Sequence, residues 1–283
     1  MGTQVRILID VEDELEAREA ANAAFQRISR LEMVLSDYNP RSEVRLLEAA
    51  ARGQPHQASP DLCSAMNRSL ELSSRTGGAF DVTCGSLTRL WRAAFKTGQP
   101  PSDVELSKAM GSVGWEGVEV DEESGTITLL DEGTTIDFGG FGKGLAADAA
   151  LAVLVEHGCA RSLVDVGGDL AIGDPPRDRS GWTVGIALDE DEPTRKVIVA
   201  NCGIATSGDA EQFLEHEGVR YSHVLDPRTG RALTTGYAVT VRAADATSAD
   251  AYASALSVLG PRRGRRLAGT LPGLQVLSDT TMP

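Results

Sequence analysis

The chain has 283 residues (29.9 kDa), enough to bury a full hydrophobic core, and its 41% hydrophobic, 24% charged composition excludes a disordered chain. With 27 Lys plus Arg against 41 Asp plus Glu, the net charge is 27 − 41 = −14, which excludes the broad basic footprint of a nucleic-acid binder. An anionic small molecule stays open, because a few local N–H groups and a metal can outweigh the global field.

No apolar run reaches the roughly 18 residues that cross a bilayer. The start, Met1 to Asp10, moves directly into an alternating strand-like pattern and lacks the three regions of a signal peptide. Cys63, Cys84, Cys159 and Cys202 have no CxxC or short-loop spacing, so buried free thiols in a reducing compartment are expected. A cytoplasmic location follows, or an exported one if a leader has been removed.

Residues 13–35 carry Leu15, Ala20, Ala24, Phe25, Ile28 and Leu31 at helical spacing, which predicts an amphipathic helix. Ser36 to Ser42 reads as a loop and 43–51 as a shorter helix. Ser59-Pro60 is a cap followed by Pro at the first helical position, opening a helix that ends at Gly77-Gly78. Short strands are expected at 118–120, 126–130 and 135–136, and a helix from Leu145 to His157. Further strands are expected at 161–172, 182–188, 196–200 and 237–242, with 173–181 and 189–194 as surface turns. Thr247 then caps a helix from Ser248 to Leu259, stopped by Gly260-Pro261. Helices set among antiparallel hairpins mean an α+β fold with mixed or antiparallel sheets and flanking helices. No linker is visible, so residues 1–283 read as one domain.

Four segments are richer in Gly and polar residues than a core requires: 76–83, 136–144, 165–169, and 206–209 with 220–230. In the second, Asp137 ends a strand, glycines stand at 139, 140, 142 and 144, and Lys143 lies at a helix entrance. Such glycines let backbone approach a ligand, and the helix terminus offers N–H groups to phosphate. It is neither a Walker A loop nor a GxGxxG dinucleotide motif, and a tight turn with a surface lysine is an equal reading. Asp250 and Ser254, four apart, share a helix face and can offer hard oxygens to Mg²⁺. The alternative is that Asp250 is an ordinary first-turn acid behind the Thr247 cap. His223, before an Asp-Pro-Arg-Thr-Gly turn, is either a general base or phosphate ligand, or a histidine packed on that turn. Gly167-Gly168 is either a bulge or a close approach to ligand. Trp91 is either core packing or part of a pocket lining.

Taken in order, these segments resemble the FAD:protein FMN transferases, the ApbE-type flavin transferases. The resemblance runs from Met1-Gly-Thr3 through Ser36-Asp-Tyr38, Gly78-Ala-Phe-Asp-Val-Thr83, Asp137 to Gly144, Val166-Gly-Gly-Asp169, Ala205-Thr-Ser-Gly208, Tyr221 to Gly230, and Ala249-Asp250 with a hydroxyl four on. It covers nearly the whole chain; each motif alone is weak and the ordered series is strong. The resemblance implies an α+β fold related to the T-fold. It implies Mg²⁺-dependent transfer of FMN from FAD to a Thr or Ser hydroxyl of an acceptor protein, with release of AMP. By that resemblance Asp250, Ser254 and the Gly140 carbonyl hold the metal. Met1, Tyr38, Ala79, Phe80, Asp81, Asp137, Lys143 and Val224 contact FAD, and His223 assists catalysis together with Asp250. An FAD pyrophosphatase and a non-catalytic FAD-binding protein are the alternatives. The chain departs from the family pattern at Ser254, usually Thr, at Gly142, usually Ala, and in the lipoprotein leader of many members.

Overall fold

The computed structural model describes residues 2–186, 195–208 and 213–281. In chain order the elements are β1 (Val5–Ile9), α1 (Glu14–Leu35), α2 (Glu43–Glu48), β2 (His56–Gln57), α3 (Pro60–Thr76), α4 (Gly85–Thr97) and α5 (Asp103–Met110). There follow β3 (Val118–Asp121), β4 (Thr126–Leu129), α6 (Gly142–Glu156), β5 (Ser162–Val166), β6 (Asp169–Ile172), β7 (Trp182–Ile186), β8 (Arg195–Val199) and β9 (Cys202–Ser207). The last are β10 (Phe213–His216), β11 (Val219–Ser222), β12 (Tyr237–Ala243), α7 (Ala246–Ala268) and β13 (Gln275–Thr281). The fold is α+β, as the sequence pattern implies.

The main sheet has six strands in the order β1-β5-β6-β9-β12-β13, each pair antiparallel. One face carries α1 and α6: Ala20, Ala24 and Ile28 of α1 meet Ala146, Ala147, Ala150 and Leu154 of α6 above Val164 and Val166. The other face packs Leu163, Leu170, Ile172 and Ile204 against Val184 and Val199 of the paired strands β7 and β8. Strand β5 is therefore apolar on both sides and reads as a nearly continuous run rather than an alternation. The same cause explains α6, whose Ala-rich sequence has no polar stripe because α1, α7 and the sheet pack against most of it.

A larger core joins α3, the β2-β4-β3 sheet, β12 and the alanine face of α7, with Leu62, Met66, Leu72, Ile127, Phe141 and Leu256 fully enclosed. A smaller one sets Leu87, Trp91 and Ala94 of α4 against Leu106 of α5, Leu214 of β10 and Leu225. The N-terminal half of α7 reaches the centre because its side chains are small.

Several expectations change. Helices α4 and α5 were not foreseen, nor were β2, β9, β10, β11 and β13. The expected strand at 135–136 is a single bridge between Thr135 and Cys84. Helix α2 is shorter than expected and α6 begins at Gly142. The cap of α7 is Asp245, whose carboxylate accepts from Ser248 N at 2.6 Å; Thr247 is already inside the helix and donates to Asp148. Gly260 (φ 71°, ψ 175°) kinks α7 where the sequence predicts its end, but Pro261 then opens a second helical segment that runs on to Ala268. The turn expected at 189–194 lies outside the described residues. All four cysteines are buried and free. No described helix is long and apolar enough to cross a membrane.

Candidate functional site

At one end of a cavity of about 770 Å³, α6 and α7 begin side by side. Their approach is set by glycine. A Cβ on Gly144 would lie 2.2 Å from Ala246 O, and one on Gly203 would lie 2.2 Å from Ala246 N. The first turn of α7 is thus held between α6 and β9 at backbone contact. Asp148, one turn further along α6, accepts from Ala246 N (2.9 Å), Thr247 N (2.7 Å) and Thr247 Oγ1 (2.6 Å). It thereby satisfies amide donors that the start of α7 would otherwise leave bare.

This packing fixes Asp250. The residue lies in the second turn of α7, so it is not an ordinary first-turn acid. Its Oδ2 accepts from Gly144 N at 3.1 Å, and its Oδ1 lies 4.0 Å from Lys143 Nζ. The α6 N-terminus is thus partly occupied by a carboxylate of the protein itself. Lys143 also donates to Asp169, which is 1% exposed in its side chain. Burial works against the ammonium, but the Asp250 and Asp169 charges outweigh it and raise its pKa. Burial, and then the Asp250 charge, push the Asp169 carboxyl well above the usual range against the pull of Lys143. On the same face of α7, Ser254 Oγ donates to Gly140 O at 3.4 Å. One carboxylate, one hydroxyl and one carbonyl therefore converge. This is a hard-oxygen set suited to Mg²⁺, which keeps much of its water. Among the described residues no cluster of three His, Cys, Asp or Glu side chains offers a metal site.

The other end is built by side chains. Asp137 Oδ1 accepts from Gly139 N at 2.7 Å and its Oδ2 from Arg92 Nη2 at 3.0 Å. Arg92 of α4 also bonds Asp37, and its guanidinium carbon stands 4.3 Å over the Tyr38 ring. Burial, then the nearby Asp137 charge, raise the Asp37 pKa despite Arg92. Glu48 braces the same region, accepting from Ile136 N at 2.7 Å and from Arg89 at 2.9 Å. Ala79 and Phe80 line the cavity in the turn after α3, where the Phe80 ring packs at a tilt against Phe141, centroids 5.8 Å apart. Asp81 also borders it, but its carboxylate accepts from Thr83 N, Thr83 Oγ1 and Trp115 N. That shapes the turn rather than presenting a free acceptor. His223 is exposed at the rim beside Val224, after β11.

Every site residue named from the sequence, apart from Met1, lines this one cavity. Met1 lies outside the described residues, although Thr3 packs on the Gly167 turn, where a Cβ would meet Thr3 Oγ1 at 2.3 Å. That contact, with φ values of 60° and 92° at Gly167 and Gly168, makes the pair a tight turn between β5 and β6. Sequence reasoning missed Arg92 because it missed α4. The signal was present: Leu87, Trp91 and Ala94 mark a helical face, leaving Arg89 and Arg92 on another. It missed Asp148 and the separate role of Asp169, for which long-range contact alone is informative. Trp91 belongs both to the core of α4 and to the cavity lining, and its indole donates to Gly230 O at 2.8 Å.

An α+β fold whose helix-start glycines bring a carboxylate, a lysine and an oxygen set to one end of a large cavity defines a candidate anion- and metal-handling site. The sequence comparisons specify it. The ApbE family model matches residues 1–278, and the chain belongs to the ApbE family. The FAD:protein FMN transferase of Treponema pallidum is 32% identical over 280 residues, covering 93% of this chain and 77% of its own. That of Escherichia coli K12 is 29% identical over 276 residues, covering 94% and 78%. Among solved structures, the ApbE protein of Thermotoga maritima superposes with a TM-score of 0.87 at 28% identity, over 97% of this chain and 90% of that one. The apo flavinyl transferase ApbE of Pseudomonas stutzeri gives 0.84 at 26% identity, over 100% and 92%.

Proposed function

We propose that this protein transfers FMN from FAD to a Thr or Ser hydroxyl of an acceptor protein and releases AMP, with residues 1–283 acting as one catalytic unit. The observation that carries the reading is the convergence, in one cavity, of residues drawn from segments as distant as Tyr38 and Ser254. The cavity volume lies in the range of small-molecule sites. The names of the relatives support the same reading.

In this reading the pyrophosphate of FAD lies toward Lys143, whose ammonium two carboxylates hold in place. Asp250, Ser254 and the Gly140 carbonyl would hold Mg²⁺, which supplies charge neutralisation to the pyrophosphate oxygens. The acceptor hydroxyl attacks the FMN phosphorus, the P–O bond to AMP breaks, and AMP leaves with the bonding electrons. His223, at the open rim, takes the hydroxyl proton. The global charge of −14 does not oppose this, because Mg²⁺ together with Lys143 would supply positive charge at the pyrophosphate.

The test is incubation with FAD, Mg²⁺ and an acceptor protein, read by intact mass. An acceptor heavier by one FMN supports transfer. Free FMN with an unmodified acceptor means that water is the nucleophile and the protein is an FAD pyrophosphatase. Bound FAD with no AMP leaves only a binding protein.

A further inference from the structure

Arg92 stands between two loops that are far apart in sequence. One holds Asp37 and Tyr38, after α1; the other holds Asp137, before α6. The guanidinium bonds both carboxylates and lies over the Tyr38 ring at 4.3 Å. The Asp37 and Asp137 side chains are 8% and 6% exposed, whereas Tyr38 is 76% exposed. One face of the tyrosine is therefore backed by a fixed cation, and the ring borders the cavity.

Arg92 invites assignment as a phosphate clamp, since arginine suits phosphate. Its bonds argue otherwise. Both arms of its fork are engaged within the protein, by Asp37 and Asp137, and its face lies over the Tyr38 ring. What Arg92 offers a ligand is indirect: it fixes the plane of Tyr38 and the position of Asp137.

We infer that Arg92 is a positioning residue for FAD, holding Tyr38 and Asp137 as one wall against which a planar heteroaromatic ring of the ligand stacks. The inference rests on the FAD reading above. Two rings of FAD have this chemistry, the flavin and the adenine, and fragment binding distinguishes them: Tyr38→Ala weakens the binding of FMN in the first case and of AMP in the second.

The experiment measures FAD binding without Mg²⁺ by calorimetry and by the flavin absorbance shift, for wild type, Arg92→Met, Arg92→Lys, Tyr38→Ala and the double variant Arg92→Met/Tyr38→Ala. Loss of a backed stacking contact predicts FAD Kd raised on the order of tenfold in Arg92→Met. The KM for FAD rises with Kd, and any fall in kcat is smaller than that rise, because the part of the ligand that Arg92 acts on is a ring and not the reacting phosphate. Arg92→Lys keeps the charge but has no flat fork, so it recovers folding without recovering the affinity. In the double variant Kd rises by clearly less than the product of the two single effects, because much of what Arg92 does passes through the ring. A merely structural arginine would instead lower turnover and add its penalty to that of Tyr38→Ala. If wild type binds FAD and Arg92→Met binds it equally well, the inference is overturned and the proposed function stands. If wild type binds no FAD, the proposed function is overturned, and the inference with it. Should Arg92→Met fail to fold, Arg92→Lys and Tyr38→Ala carry the comparison: equal FAD affinity in wild type and Arg92→Lys overturns the inference.

Discussion

At the inner end of the cavity, where α6 and α7 start, the polar groups are set by backbone: Gly144 and Gly203 remove side chains so that Asp250 reaches an amide of α6. At the outer end, Arg92, Asp37, Asp137 and Tyr38 reach across loops with long or exposed side chains. The first arrangement has no slack, since main-chain atoms cannot rotate away. The second has many torsions and owes its geometry to charge. A substitution that adds one carbon should therefore be severe at the inner end, while the outer end should answer to changes of charge and pH.

The largest effect is expected from Asp250→Ala. Removing the one carboxylate of the oxygen set should lower Mg²⁺-dependent AMP release from FAD by about 10²–10³-fold. Full turnover in this variant would remove Asp250 from the metal site and the inner end from the chemistry. Next comes Gly144→Ala. Its methyl would lie 2.2 Å from Ala246 O, a backbone atom. Overpacking against main chain should cost about 3 kcal/mol or more. Urea unfolding checks this, and an unchanged midpoint would show that the helix starts can separate freely.

The two ends were not equally legible in the sequence. The inner end announced itself locally: Gly-Lys-Gly at a helix entrance, and a carboxylate and hydroxyl four apart on an Ala-rich helix. The reason for those glycines was not legible, because it lies in contacts between Gly144, Gly203 and Ala246. Strand β9 escaped for the same cause: Gly203 and Ala205 are poor strand formers, chosen to fit beneath α7. Of the outer group, Asp137 stood out through its glycine-rich loop and Tyr38 through family resemblance. Their partner Arg92 lies on α4, a helix that opens on Cys84 with no side-chain cap to mark its start. Spacing reveals a helix face, but which two loops an arginine joins is tertiary information.

A smaller effect is expected from Ser254→Thr. The added methyl restricts the rotamer that carries the hydroxyl toward Gly140. Mg²⁺ titration of turnover should show the metal requirement unchanged or lowered by roughly threefold. A higher requirement would mean that the face of α7 beside Gly140 is as crowded as its first turn, extending the rigid inner end by a full helical turn.

The smallest effect separates two carboxylates that both sit on an arginine. Asp61, on α3, is bonded twice by Arg27, with one contact at 2.6 Å, and this hydrogen bonding holds its pKa below the usual value. Asp37, at the outer end, is bonded by Arg92, yet burial and then the Asp137 charge raise it. The signs follow from linkage. For Asp61 the folded-state pKa is below the unfolded one, so its contribution is present above the unfolded pKa and lost as pH falls through the folded one. For Asp37 the order is reversed, so its contribution is present below the unfolded pKa and lost as pH rises through the folded one. The stability gap between wild type and Asp61→Asn should therefore be about 0.5–1 kcal/mol at neutral pH, allowing for partial exposure, and should close in acid. The gap between wild type and Asp37→Asn should move in wild type's favour over the same descent. Unfolding of the three proteins from pH 7 to pH 3 measures both slopes. Parallel slopes would mean that Arg92 satisfies Asp37 as fully as Arg27 satisfies Asp61, and that the outer end is an ordinary ion pair rather than one arginine shared between two acids.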